Sequence, residues 1–179
     1  MDNRSTKAVR GPASGDRSHP EGASSRIVAR LFVVAAVVGS AHGVVSLYWA
    51  SGGVLLIETV SVGIRSTFEQ QLWMIGIIGL FKLVAAMAPL LLLLSGWPWR
   101  RFWRTLCWAG SILLVTWGGL TSLIGNLVLS GLLIPESGYD RSVMVGQAWI
   151  WDPMFFVWGA SLGLGLYLSR LQHSGYLRL

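Results

Sequence analysis

The chain has 179 residues and a mass of 19.5 kDa, with 53% hydrophobic and 12% charged residues. Soluble domains carry about 25% charged residues, so this balance excludes an ordinary water-soluble domain, a disordered chain and a nucleic-acid-binding tail protein. The single cysteine, Cys107, excludes a disulfide framework, a CxxC redox pair or a thiolate metal cluster within one chain.

In chain order, residues 1–26 are polar, with Pro12 and Pro20 and almost no large apolar side chain. Such a stretch buries too little surface to offset its ordering entropy, so it is expected to be a disordered basic tail. Four apolar segments follow, at about residues 31–50, 72–94, 107–130 and 147–169. Each is long enough to cross a hydrocarbon layer of about 30 Å as a helix rising 1.5 Å per residue. Strand-like alternation is absent, so the expected fold is all-α, an integral membrane bundle of four transmembrane helices. The membrane domain covers residues 27–170 and a short tail covers 171–179.

Arginine and lysine set the expected orientation. Arg4, Lys7, Arg10, Arg17, Arg26 and Arg30 precede the first span, Arg100, Arg101 and Arg104 follow the second, and Arg170 and Arg178 follow the fourth. The other two loops hold only Arg65 and Arg141. The positive-inside rule then places both termini in the cytoplasm and the chain in the cytoplasmic membrane, N-in and C-in. Trp49, Trp73, Trp149 and Trp151 at one interface, and Trp97, Trp99 and Trp103 at the other, read as headgroup anchors. The basic run, Leu31–Val38 and Ala41-His42-Gly43 also resemble a signal peptide with its cleavage site. Apolar character resumes at Val44, Val45 and Leu47, so an uncleaved anchor is expected.

Four polar residues stand where lipid makes them costly: His42, Lys82, Asn126 and Asp152. The up-and-down path puts all four between the midplane and the outer leaflet, where they are candidates for one shared ligand pocket. Lys82 is the most informative, with Asp152, Glu58 or Glu69 as its expected ion-pair partner. Asp152 precedes Pro153 and also reads as the N-cap of a fourth helix starting there. Pro89 reads as a kink in the second span. Gly39, His42, Gly43, Ser46 and Trp49 share one helical stripe, and Gly118, Ser122 and Asn126 another. The GxxxG pairs Gly39/Gly43 and Gly159/Gly163 fit close helix packing, within the chain or against a second copy or membrane partner. The expected partner is the bilayer, not nucleic acid. No cofactor, metal site or catalytic residue is expected: there is no HExxH, GxSxG or Walker motif, and no second membrane histidine for haem.

The run Ala41-His42-Gly43 to Tyr48-Trp49-Ala50-Ser51-Gly52-Gly53, with Lys82 and Trp151-Asp152-Pro153, resembles a bacterial membrane family, domain of unknown function 3995, common in actinobacteria. The resemblance covers roughly residues 30 to 170 and implies four transmembrane helices. It assigns no catalytic residue. Two readings of function follow from the residues: a binding protein for a small lipophilic or protonatable ligand, or a structural subunit of a membrane complex. An enzyme using His42 as its base ranks behind both.

Overall fold

The computed structural model describes residues 20–60, 71–136 and 138–175, with side chains between 25 and 171. The tail before Pro20, the outer-loop residues Arg65 and Glu69, and Arg178 lie outside the described residues. Helix α1 runs Pro20–Ala50, followed by a 3-10 turn, Ile57–Thr59. Helix α2 is Leu72–Leu94 and α3 is Arg100–Leu129. A short α4, Arg141–Gly146, passes through a π turn, Gln147–Trp151, into α5, Asp152–Gly175. Four spans in these helices are long and apolar enough to cross a membrane. No strand occurs among the described residues. The protein is a multi-pass four-helix membrane protein.

Three element boundaries differ from the expected ones. Helix α1 starts at Pro20, inside the segment 1–26 read as tail; proline suits the first helical turn, and a helix extends cheaply back from an established apolar core. Helix α3 starts at Arg100, not near residue 107, and its second turn is tied to the fourth span through Arg104. There the Arg104 guanidinium donates to Ser169 Oγ at 3.0 Å and to the Leu166 carbonyl at 2.7 Å. It also lies 5.4 Å from the Trp97 ring.

The fourth span corrects the capping expectation. Asp140 is the N-cap, its carboxylate accepting from the backbone N–H of Ser142 and Val143. Asp152 sits inside a continuous helical path, with φ −71° and ψ −41°. Pro153 has no N–H to give. The π turn changes the register just before it, so that the Asp152 N–H reaches back five residues to the Gln147 carbonyl.

Helix α1 packs on α2, α3 packs on α5, and α1 packs on α5. Helices α2 and α3, although joined by the short loop 95–99, have no comparable seam. Between membrane helices there is little hydrophobic driving force, so close van der Waals approach must hold the seams. Glycine supplies it. A Cβ on Gly39 would lie 2.5 Å from the Trp158 ring, and one on Gly43 would lie 3.1 Å from the Gly79 carbonyl oxygen. One on Gly159 would meet the Ser111 carbonyl oxygen at 2.9 Å, and one on Gly163 the Ser111 hydroxyl at 2.6 Å. Of the two arrangements that the sequence left open for the GxxxG faces, the structure shows both pairs packed within the chain.

Two buried clusters result. Val28, Phe32, Ala35, Ala86, Trp97, Cys107, Trp158, Leu162 and Leu166 fill the arginine-rich end and the middle. Trp49, Val60, Ile75 and Trp151 fill the opposite end. Trp49, Trp97 and Trp151 are thus interior residues rather than the headgroup anchors read from their positions. Trp73, Trp99 and Trp149 are exposed, as anchors must be.

Candidate functional site

The stripe on α1 that carries Gly39, His42, Gly43, Ser46 and Trp49 faces inward along its whole length. His42, Ser46 and Trp49 are all buried. Lys82, at the middle of α2, reaches across this seam. Its Nζ lies 3.2 Å from His42 Nδ1 and donates to Ser46 Oγ at 3.1 Å. Ser46 in turn donates to the His42 carbonyl one turn earlier, at 3.2 Å. The cluster holds one amine, one imidazole and one hydroxyl. An ammonium at Lys82 makes Nδ1 the acceptor, which leaves the His42 proton on Nε2. His42 Nε2 is buried and has no hydrogen-bond partner.

Aromatic rings wall the cluster. Phe155 lies 4.3 Å from the His42 ring, centroid to centroid, and Trp151 lies 5.6 Å away. Lys82 Nζ sits 5.7 Å from the Phe155 centroid, within cation–π range. Trp49 meets Trp151 edge to face at 5.1 Å. Both indoles are tethered to the loop after α1: Trp49 Nε1 donates to the Leu55 carbonyl at 2.8 Å, and Trp151 Nε1 to Thr59 Oγ1 at 3.1 Å. On the other side Phe155 stacks on Trp158, whose Nε1 is also buried without a partner.

The four candidate residues divide between two places. His42 and Lys82 meet; Asn126 and Asp152 lie on the seam between α3 and α5. Asp152 is buried on that seam, with its backbone carbonyl against Gly118. Asn126 Nδ2 donates to the Ser122 carbonyl at 2.8 Å. Its side chain lines a shallow groove of about 450 Å3 with Gly118, Ser122, Pro153 and Phe156. No ion pair joins Lys82 to an acidic side chain among the described residues, so the amine rests on His42 and Ser46 instead of Asp152 or Glu58. Glu69, the third expected partner, lies outside them. The walls formed by Trp151, Phe155 and Trp158 were not singled out from sequence as a site. Their spacing of four and three residues was the available signal.

A family model matches residues 39–162, from the close-packing Gly39 to Leu162 beyond the aromatic wall. The chain belongs to the family described as Protein of unknown function (DUF3995). No curated protein and no solved structure matches it. The matched segment of this DUF3995 protein contains the whole His42–Ser46–Lys82 cluster and its aromatic walls.

Proposed function

We propose that this DUF3995 protein binds a small lipophilic, protonatable ligand at the His42–Ser46–Lys82 cluster. In this reading the protein lies in the cytoplasmic membrane with both termini inside. The cluster then belongs to the half of the bundle toward the outer leaflet. One observation carries it: a lysine at mid-span is held by a histidine and a serine, with no acidic partner among the described residues. A cation at that depth costs several kcal/mol, and structural stability alone does not repay it as well as an apolar side chain would. An anionic or acidic ligand head is the missing complement. Lys82 would supply the charge, Ser46 and His42 would orient it, and Trp151 and Phe155 would exclude water. Asp152 and Asn126 act in this reading as packing residues of the α3–α5 seam.

Native mass spectrometry of the full chain in mild detergent tests the reading, with wild type beside Lys82→Met. A stoichiometric adduct present in wild type and absent from the variant supports it. The same adduct in both, or a bare chain in both, overturns it and favours the structural-subunit alternative.

A further inference from the structure

Helices α2 and α3 diverge from the loop 95–99 and leave an apolar cleft of about 510 Å3 between them. Its walls run from Phe81 to Leu92 on α2 and from Trp103 to Leu114 on α3, over Trp158 and Leu162 of α5. Each wall rises about 16 Å at 1.5 Å per residue, close to half of a hydrocarbon layer of about 30 Å. The cleft therefore has the length of one leaflet's acyl chain, counted from the arginine-rich end of the bundle. Hydrocarbon of any kind satisfies its walls, so whatever selects an occupant lies at the end where Leu92 and Trp103 stand.

Arg100, Trp103, Cys107, Gly110 and Leu114 follow one another along α3 at steps of three and four residues, which is one helical face. The last four line the cleft, so Arg100 stands one turn beyond it on the same face. Arg101 is next to it, and both arginines are exposed. Arg104, one turn from Arg100, is held by Ser169 Oγ, the Leu166 carbonyl and the Trp97 ring. Those partners fix the guanidinium without cancelling its charge. The sequence has no aspartate or glutamate from residue 70 to residue 135, nor after Asp152. Topology asks only for positive charge at this end of the bundle. It does not ask for a cation in line with an apolar slot. We propose that the α2–α3 cleft seats one acyl chain of an anionic glycerophospholipid whose phosphate is bound by Arg100 and Arg101, in the field of Arg104. Guanidinium suits that head because its planar N–H donors match phosphate oxygens in pairs. The site is separate from the Lys82 cluster and does not depend on the ligand proposed there.

Native mass spectrometry of the full chain in a non-ionic detergent tests the site with three probes. Dioleoylphosphatidylglycerol and dioleoylphosphatidylcholine share their chains and differ in head charge, and glycerol 3-phosphate is an anionic head without chains. Wild type is expected to hold one phosphatidylglycerol about tenfold more tightly than phosphatidylcholine, and to retain no glycerol 3-phosphate. Replacing Arg100→Gln and Arg101→Gln together should bring the two lipids to equal affinity. Both side chains are exposed, so the melting temperature should stay at the wild-type value. Gly110→Leu fills the cleft, because a Cβ at Gly110 meets no atom within 4 Å. It should weaken both lipids about tenfold and leave their ratio unchanged. Equal binding of the two lipids by wild type overturns the proposal, as does a preference that survives in the double arginine variant. Unchanged lipid binding in Gly110→Leu means that charge alone attracts the lipid to the surface, and overturns the cleft as its seat. Glycerol 3-phosphate held as tightly as the lipid makes this a free-phosphate site and overturns the proposal too.

Discussion

The α1–α2 seam and the α3–α5 seam use similar small and polar residues to opposite effect. On the α3–α5 side, polar groups hydrogen-bond to backbone carbonyls across or along the seam. Ser111 Oγ donates to the Gly159 carbonyl at 2.8 Å, and Ser122 Oγ to the Ala148 carbonyl at 2.9 Å. On the α1–α2 side, a lysine is held by histidine and serine, and a buried imidazole nitrogen is left without a partner. The first seam is what packing alone asks of polar residues in a membrane. The second carries charge and hydrogen-bonding capacity that packing does not use.

That contrast can be broken or sharpened by substitution. The largest effect should come from Gly39→Leu. Its Cβ collides with the Trp158 ring and Ala86, so overpacking should cost about 3 kcal/mol or more and abolish a folded monomer on size exclusion. Gly110→Ala, with open space at its Cβ, should leave the melting temperature unchanged. Lys82→Met should behave oppositely to an ordinary core substitution: relief of a desolvated cation should stabilise the chain by about 1 kcal/mol or more while ligand binding is lost. A lower Tm for this variant would move Lys82 into the purely structural class. Trp151→Phe deletes the Nε1 bond to Thr59. It should cost about 1 kcal/mol and speed ligand release, read from dissociation kinetics. Ser122→Ala should cost about 0.5–1.5 kcal/mol in thermal stability with no change in ligand affinity. If Ser122→Ala instead weakens binding as much as Lys82→Met, the two seams are not functionally distinct.

His42 and Lys82 were legible because polar groups inside apolar runs announce themselves. Asn126 and Asp152 were equally legible as anomalies, but their place was not. Helical periodicity assigns a residue to a face of its own helix and says nothing about which neighbour that face meets. Asp152-Pro153 carried the same ambiguity: its local chemistry favours a helix start, and only the π turn before it keeps the helix continuous. Tryptophan is likewise two-valued, since an indole near a span end suits a headgroup or a core. Trp151 and Phe155 became walls of the site because α1 docks on α5.

The sequence by itself determined four spans, since length and hydrocarbon content decide what can cross about 30 Å of lipid. It also determined that His42 and Lys82 must find polar company. Only the tertiary structure decided that they find it in each other and in Ser46, that both GxxxG faces are consumed inside the chain, and that α2 and α3 stand apart. Those outcomes depend on which pairs of helix surfaces approach most closely, and that is settled by the shapes of Gly39, Gly43, Gly79 and Gly159 against their neighbours.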